Sequence, residues 1–231
     1  MAHRHAIIFI GGDAPHEHAN HTSRAIVTGA DSAAASTTGV TALVIAADSG
    51  WEHAVGAGHT PDILVGDMDS ISAGHLADAR AARTEIIEQP ADKDETDTEI
   101  ALATAVSRGA THITVIAGGG DRPDHVFAML HSLSSPGLAP ARIDGHLGAS
   151  RFHVCRAGAP VDIHTQPGDT VSLLPVGGDA VVSADNLKWP LVRGTLHAHE
   201  SRGISNVATG RVDIAVHQGT LIAFTTPNPE K

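Results

Sequence analysis

Short apolar runs alternate with helix-forming stretches in the first part of the chain. The runs are Ala6–Ile10, Ala42–Ala46, Ile63–Val65, Glu85–Ile87 and Ile113–Ala117. Ala-rich segments lie between several of them. Strand–helix alternation predicts a parallel sheet covered by helices. Ligands of such sheets bind at the carboxyl ends of the strands, so the polar residues that follow each run are candidates for a site.

After about residue 140 the pattern changes to short β-like runs separated by turn signals such as Pro167-Gly168-Asp169. These runs predict an antiparallel β domain, and the linker is expected within 134–148. We therefore expect an α/β domain with a parallel sheet over residues 1–140. A second, all-β domain would cover residues 148–231.

Composition narrows the classes of function. The chain has 231 residues, 42% of them hydrophobic, and a net charge of −11. No basic cluster is present that could bind a nucleic acid duplex. The single cysteine, Cys155, excludes an intramolecular disulfide. The first apolar run, about five residues, is too short for a signal segment or a spanning helix. We expect a cytoplasmic protein without a membrane partner.

Two aspartates follow the third run, in Gly66-Asp67-Met68-Asp69-Ser70. Carboxylates at positions i and i+2 of a strand end point the same way and repel each other unless a cation neutralises them. Mg²⁺ prefers such oxygen ligands. The alternative is a solvated turn in which Ser70 caps a helix.

An acidic segment surrounds one lysine between Asp92 and Glu99. Thr96 and Glu99 fit a capping box, and acidic residues favour a helix N-terminus. Lys93 does not fit that explanation, because the helix dipole disfavours a cation there. A phosphate ligand would explain the lysine, so both a cap and a binding site stay open.

Three weaker features follow in the sequence. Gly118-Gly119-Gly120 precedes Arg122 at the start of a helix, where backbone and guanidinium donors favour an anion, although a plain strand–turn–helix connection explains it too. Asp48 follows the second run and is either a ligand or a helix cap. Trp189 is either a packing residue or part of a binding surface.

Taken in order, these motifs resemble the thiamine pyrophosphokinase family over roughly residues 42–225. Two departures are Ser49, which replaces a glycine, and Asp121, which stands where the family has the second glycine before Arg122. The matching segments are Ala47-Asp48-Ser49-Gly50, Pro61-Asp62, Gly66-Asp67-Met68-Asp69-Ser70, Lys93-Asp94-Glu95-Thr96-Asp97-Thr98-Glu99, Arg122-Pro123-Asp124-His125, Leu187-Lys188-Trp189 and Ser205-Asn206.

The resemblance implies a homodimer with active sites shared between subunits and with Mg²⁺, ATP and thiamine as ligands. It also implies that the α/β domain over 1–140 is Rossmann-like, catalytic, and binds nucleotide and Mg²⁺. The all-β domain over 148–231 would be a β-sandwich that binds thiamine and forms the dimer. Trp189 of the partner's β domain would stack on thiamine, with Ser183 nearby. Asp67, Asp69 and Asp97 would hold the metal, and either Asp94 or Asp97 would take the hydroxyl proton. The residues implied on the nucleotide and phosphate side are Asp48, Lys93, Thr96, Arg122, Asp124 and His125.

The implied reaction transfers pyrophosphate from ATP to the hydroxyl of thiamine and releases AMP. Two alternatives stay open. One is a Mg-dependent phosphohydrolase that uses the same aspartates, and the other is a non-catalytic regulator that binds nucleotide or thiamine. The role of the His-rich segment 13–38 is not determined by its sequence.

Overall fold

The computed structural model describes residues 5–28, 42–120 and 122–228. Asp121 and the part of the His-rich segment from 29 to 38 lie outside the described residues. The chain divides into two compact units. The first is Met1–Met129 with Pro140–Gly148, and the second is Leu130–Ala139 with Ala149–Lys231. The chain therefore passes between the units three times, whereas the domain boundaries expected from the sequence imply one passage.

The first unit contains a six-stranded parallel sheet in the order β6-β5-β1-β2-β3-β4. The five expected runs all form strands, each within one or two residues of its expected bounds. The strands are β1 (His5–Phe9), β2 (Leu43–Ala47), β3 (Ile63–Gly66), β4 (Glu85–Glu88), β5 (His112–Ala117) and β6 (Arg142–Leu147). The helices are α1 (Glu17–Thr28), α2 (Gly50–Gly56), α3 (Ala73–Ala81), α4 (Asp97–Ser107) and α5 (Pro123–Ser132).

Strand β6 lies inside the segment expected to be a linker. Pro136 and Leu138 bound a short 3₁₀ helix there, and β6 follows it as a parallel partner of β5. Pro136, Pro140 and the nearby glycines and alanines are the features that predict a linker here, and the strand also carries the charged residue Asp144. In the structure its carboxylate accepts hydrogen bonds from β5, which satisfies a polar side chain within the sheet.

The core of the first unit is formed by apolar strands that helices cover. Ile7, Phe9, Ile45 and Leu64 are fully buried, as is Leu102 of α4. Such continuous apolar runs are typical of parallel strands that are buried on both faces. Among the described residues, no helix combines the length and apolar character that crossing a membrane requires.

The described residues of the second unit form five antiparallel strands. Runs that were expected to be separate join into two long strands, β9 and β11, whose pairing shifts register at several points. The order is β10-β9-β11-β7, and β8 also pairs with β11. The strands are β7 (Ser150–Arg156), β8 (Val161–Ile163), β9 (Thr170–Leu187), β10 (Leu191–Leu196) and β11 (Asn206–Thr226).

Candidate active site

Three aspartates from different elements meet at the carboxyl edge of the parallel sheet. Asp48 follows β2, Asp67 follows β3, and Asp97 is the first residue of α4. One carboxylate oxygen from each lies within 4.8 Å of the other two. They line a cavity of about 770 Å³, and the glycines after β1 and β5 line it as well.

Asp48 is the most constrained of the three. Its side chain is only 8% exposed, and its backbone is left-handed with φ 46°. Ser70 donates a hydrogen bond to Oδ2, whereas Oδ1 is buried with no hydrogen-bond partner among the described residues. Burial raises the pKa of Asp48, the Ser70 hydrogen bond partly offsets this, and the charges of Asp97 and Asp67 raise the pKa further. A buried carboxylate in this position favours a cationic ligand.

Close approach of the backbone is needed around Asp48. A Cβ atom on Gly66 would lie 3.1 Å from the Asp48 Cβ and 3.4 Å from the Asp97 Cγ. Ser49, which replaces a glycine of the family pattern, packs beside Gly11. A Cβ atom added to Gly11 would lie 2.2 Å from the Ser49 Oγ. Ser49 therefore fits because position 11 has no side chain.

The carboxylates of Asp67 and Asp69 interact with each other, but only Asp67 belongs to the group of three aspartates. β3 ends at Gly66, and Met68 is left-handed with φ 64°, which breaks strand alternation. The Asp69 backbone N–H donates to Asp67 Oδ1 at 3.1 Å and lowers the pKa of Asp67, while the carboxylate of Asp67 raises the pKa of Asp69. Asp69 lines the cavity but is not a member of the group formed by Asp48, Asp67 and Asp97.

Lys93 lies against two of the three aspartates. Its Nζ atom is 3.0 Å from Asp97 Oδ1 and 3.7 Å from Asp67 Oδ2, and its side chain is 11% exposed. Partial burial lowers the pKa of Lys93, but the hydrogen bond and charge of Asp97, together with the charge of Asp67, raise it overall. The lysine is thus a fixed cation at the edge of the cavity.

The capping box expected at α4 is present. Thr96 Oγ1 accepts a hydrogen bond from the Glu99 backbone N–H at 3.2 Å, and Glu99 Oε2 accepts one from the Thr96 backbone N–H at 2.9 Å. The cap places Asp97 in the first turn of the helix. Cap and site are therefore not alternatives here, because the same turn serves both.

The loop after β5 brings Arg122 and His125 to the cavity. Arg122 is bound by Asp124 in a two-point contact, with Nε to Oδ1 at 3.1 Å and Nη2 to Oδ2 at 2.7 Å. The hydrogen bond from Arg122 lowers the pKa of Asp124 to about 2. Asp124 therefore orients Arg122. Asp94 also lines the cavity, and among the described residues it has no hydrogen bond or ion pair.

Sequence reasoning missed three contributors to this cavity. Gly11 and Gly12 after β1 lie in its lining, and Ser70 orients Asp48. The glycine pair directly after the first apolar run was the available signal. The alternative in which Ser70 caps a helix is wrong for α3, because the residue that caps this helix is Ser72.

The thiamine-side candidates lie in the second unit. Trp189 follows β9, is 55% exposed, and has Lys188 Nζ 4.7 Å from its ring centroid. Asn206 fixes its backbone through two hydrogen bonds, from Trp189 N to Oδ1 at 3.1 Å and from Nδ2 to Trp189 O at 2.7 Å. These contacts join two motifs that lie 17 residues apart in the sequence. Ser183 lies on β9, where its Oγ contacts His217.

Comparison with protein families gives two matches. Residues 35–142 match the model of the thiamin pyrophosphokinase catalytic domain, and residues 160–221 match that of the thiamin pyrophosphokinase vitamin B1 binding domain. Together the two spans cover well over half of the chain. The chain belongs to the thiamin pyrophosphokinase family.

Its activity is accordingly that of a thiamine diphosphokinase. The three aspartates and Lys93 fall within the part matched to the catalytic domain. Ser183 and Trp189 fall within the part matched to the vitamin B1 binding domain. A comparison with curated protein sequences gave no significant match.

Solved structures share the fold. A thiamine pyrophosphokinase from Bacillus subtilis has a TM-score of 0.75 and 23% identity, covering 97% of this chain and 99% of its own. The thiamin pyrophosphokinase from Candida albicans has a TM-score of 0.73 and 12% identity, with 98% and 90% covered. The yeast enzyme has a TM-score of 0.68 and 15% identity, with 97% and 86% covered. The fold thus persists where most residues differ.

Proposed function

We propose that this chain transfers pyrophosphate from ATP to thiamine with Mg²⁺ as its cofactor. The observation that carries the proposal is the meeting of three carboxylates, with Lys93 beside them, where the buried Oδ1 of Asp48 has no hydrogen-bond partner in the described part of the chain. The thiamine hydroxyl oxygen would attack the β-phosphorus of ATP. As that bond forms, the bond from the β-phosphorus to the bridging oxygen of the α-phosphate breaks, and AMP leaves.

The residues fit a divalent cation with hard oxygen ligands. The oxygens of Asp48, Asp67 and Asp97 are close enough to share one ion, and Mg²⁺ takes carboxylates together with phosphate oxygens and water. Asp69, the ligand expected from the family pattern, lines the same cavity but outside this group. The bound ion would supply neutralisation of phosphate charge.

Phosphate binding would fall to the cations at the cavity. Lys93 is fixed by Asp97 and Asp67, and Arg122 is fixed by Asp124, so both donors are oriented before a nucleotide arrives. The glycines after β1 and β5 would let the nucleotide approach the backbone. Thr96 supports these groups as the cap of α4, and His125 lies in the same lining.

We assign the hydroxyl proton to Asp94 in preference to Asp97. Asp97 forms an ion pair with Lys93 and belongs to the group of three aspartates that would hold the metal. Both interactions favour its charged form, so it is a poor proton acceptor. Asp94 lines the cavity and has no other partner among the described residues. A general base must be within reach of the proton and free to take it.

Thiamine recognition would use the second unit, which we propose to be a β-sandwich. The exposed indole of Trp189 offers a stacking face for a flat cationic heterocycle, and Ser183 offers a hydroxyl. We propose a homodimer in which Trp189 of one subunit completes the site of the other. A cytoplasmic location stays a prediction.

The direct test incubates the protein with thiamine, ATP and Mg²⁺ and separates the products. Thiamine diphosphate and AMP in equal amounts support the proposal. Free phosphate as the main product would support a phosphohydrolase, and binding without turnover would support a regulator. Either result would overturn the proposed activity.

Trp189→Ala tests the thiamine side and the dimer together. We expect the thiamine KM to rise about tenfold, which corresponds to 1.4 kcal/mol, with little change in the KM for ATP. Val192→Ala is the matched control, because Val192 is also exposed and apolar.

Heterodimers of a Trp189→Ala subunit and an Asp67→Asn subunit test the shared site. They should recover activity, since one of their two sites has both parts intact. No recovery in purified heterodimers would contradict the shared site.

A further inference from the structure

Ser183 sits in a hydrogen-bond arrangement that fixes which way its hydroxyl points. Its Oγ atom is 2.8 Å from His217 Nε2 and accepts a hydrogen bond from the Arg193 backbone N–H at 3.0 Å. Arg193 Nη1 lies 3.3 Å from His217 Nδ1. The three residues come from β9, β10 and β11 and form one connected group.

The arginine decides the tautomer of the histidine. A guanidinium nitrogen can only donate a hydrogen bond, so the facing Nδ1 of His217 has to accept it. The ring hydrogen of the neutral imidazole is then on Nε2, which makes His217 a donor to Ser183. This assignment follows from the contact between Arg193 and His217 alone.

The serine is therefore left with one role. A hydroxyl has two acceptor lone pairs and one hydrogen. Arg193 and His217 occupy both lone pairs, and no described residue accepts the hydrogen of Ser183. Ser183 is thus left with one hydrogen to donate, and the acceptor of a bound ligand can take it in place of water.

The backbone is shaped to produce this arrangement. The pairing of β10 with β9 shifts register between Leu191 and Gly194, which places an extra residue in β10. Arg193 lies in this bulge with a left-handed φ of 46°. Bulges and left-handed non-glycine residues carry a conformational cost and concentrate at functional sites. Here the Arg193 N–H donates to the side chain of Ser183 on the neighbouring strand β9 and not to a backbone carbonyl of that strand.

We infer that Arg193 and His217 are positioning residues that fix Ser183 as a hydrogen-bond donor to a ring nitrogen of the thiamine aminopyrimidine. The inference rests on the proposed function. All three residues lie within the span matched to the vitamin B1 binding domain, and Arg193 and His217 line a cavity of about 400 Å³. An aminopyrimidine ring nitrogen is an acceptor without a hydrogen, which complements a serine that can only donate.

Two thiamine analogues test this, each with one of the two pyrimidine ring nitrogens replaced by C–H. Binding to the full-length protein is measured by calorimetry. One analogue and not the other should bind about fivefold more weakly than thiamine, as expected for one lost hydrogen bond. In Ser183→Ala thiamine should bind as weakly as that analogue, so the difference disappears.

Variants of the positioning residues separate orientation from simple stability. His217→Leu should reduce the difference between thiamine and the sensitive analogue, and His217→Gln should restore it because an amide can donate in place of Nε2–H. Arg193→Gly removes the guanidinium and suits the left-handed backbone of the bulge, and nitrogen NMR should then show a population of the Nδ1–H tautomer of His217 that the wild type lacks. If Arg193 and His217 only stabilised the fold, their substitution would leave the ratio of the affinities for thiamine and the sensitive analogue unchanged.

The outcomes are distinguishable. If the wild type converts thiamine but both analogues bind equally well, or if the difference persists in Ser183→Ala, the inference is overturned while the proposed function stands. If the wild type does not form thiamine diphosphate, the proposed function fails, and this inference fails with it.

Discussion

Polar clusters lie at both ends of the parallel sheet, and they differ in how their charges are satisfied. The first cluster lies at the amino-terminal ends of β1, β5 and β6. There the side chains of His5 and Thr114 form a hydrogen bond of 2.9 Å, and Thr114 donates one to Asp144 at 2.9 Å. His112 bonds the other oxygen of Asp144 at 2.7 Å and stacks on His5 with ring centroids 4.0 Å apart. Each polar group has a partner within the cluster.

At the carboxyl ends, acids outnumber cations. Lys93 faces Asp97 and Asp67, while Asp48 keeps a buried oxygen without a hydrogen-bond partner among the described residues. The backbone is left-handed at Asp48 and Met68. Unbalanced charge and strain beside a cavity are the marks of a ligand site, whereas a balanced network mainly stabilises the fold. The comparison therefore predicts opposite effects of substitutions at the two ends.

Asp67→Asn should have the largest effect on activity. We expect turnover to fall at least about a hundredfold, as for loss of a group that stabilises developing charge. Stability to urea should be unchanged or slightly lower, because asparagine keeps an oxygen that can accept the Asp69 N–H but lacks the charge that Lys93 faces. Asp78→Asn is the control, since Asp78 is an exposed acid on α3 outside the cavity. A near wild-type rate at saturating Mg²⁺ would exclude a metal role for Asp67.

Lys93→Ala should act on ATP more than on thiamine. We expect the ATP KM to rise about tenfold, a change of 1.4 kcal/mol, because one phosphate donor is lost. Steady-state kinetics with each substrate varied in turn measures this. Arg80→Ala removes an exposed cation of α3 and serves as the control. Equal ATP KM values in mutant and wild type would leave Lys93 as only a counter-ion of the aspartates.

Asp144→Asn should lower stability and leave turnover unchanged, whereas Asp67→Asn should mainly lower turnover. Replacing Asp144 weakens bonds to His112 and Thr114, so the free energy of unfolding should fall by about 1–3 kcal/mol. Turnover per folded molecule should stay at the wild-type value. Urea unfolding and kinetics on the same sample check both. Loss of activity without loss of stability would remove the distinction between the two ends.

His5→Gln should have the smallest effect near neutral pH, and its effect should appear mainly in acid. Burial, followed by the charge of His112, lowers the pKa of His5 from its ordinary value of 6.5 to about 4. Between these values the unfolded chain binds a proton that the folded chain does not, so stability falls as pH drops from 6.5 towards 4. Glutamine does not titrate, so the variant lacks this acid-dependent loss of stability. As the pH falls from 6.5 towards 4, the unfolding free energy of the variant relative to that of the wild type should therefore increase.

The control for this measurement is His21→Gln, because the His21 side chain is 67% exposed. Its unfolding free energy should follow the wild-type pH curve. If both variants behaved alike, the acid dependence would not come from burial at the amino-terminal end of the sheet.

The sequence alone determined the local features. Apolar runs of a few residues set the strands, because only a sheet buried on both faces accepts such runs without alternation. The capping box of Thr96 and Glu99 placed the start of α4, since it depends on residues three apart. The ordered set of motifs identified the family. Each of these rests on neighbours in the chain.

Tertiary structure decided which residues act together. Asp48 joins Asp67 because β2 and β3 are adjacent strands of the sheet, whereas Asp69 leaves the group because left-handed Met68 ends the strand alternation that its spacing assumed. The contact of Ser183 with His217, 34 positions away, depends on the pairing of β9 with β11. Pairing, bulges and backbone hand depend on the packing of distant segments, and spacing in the sequence does not encode them directly.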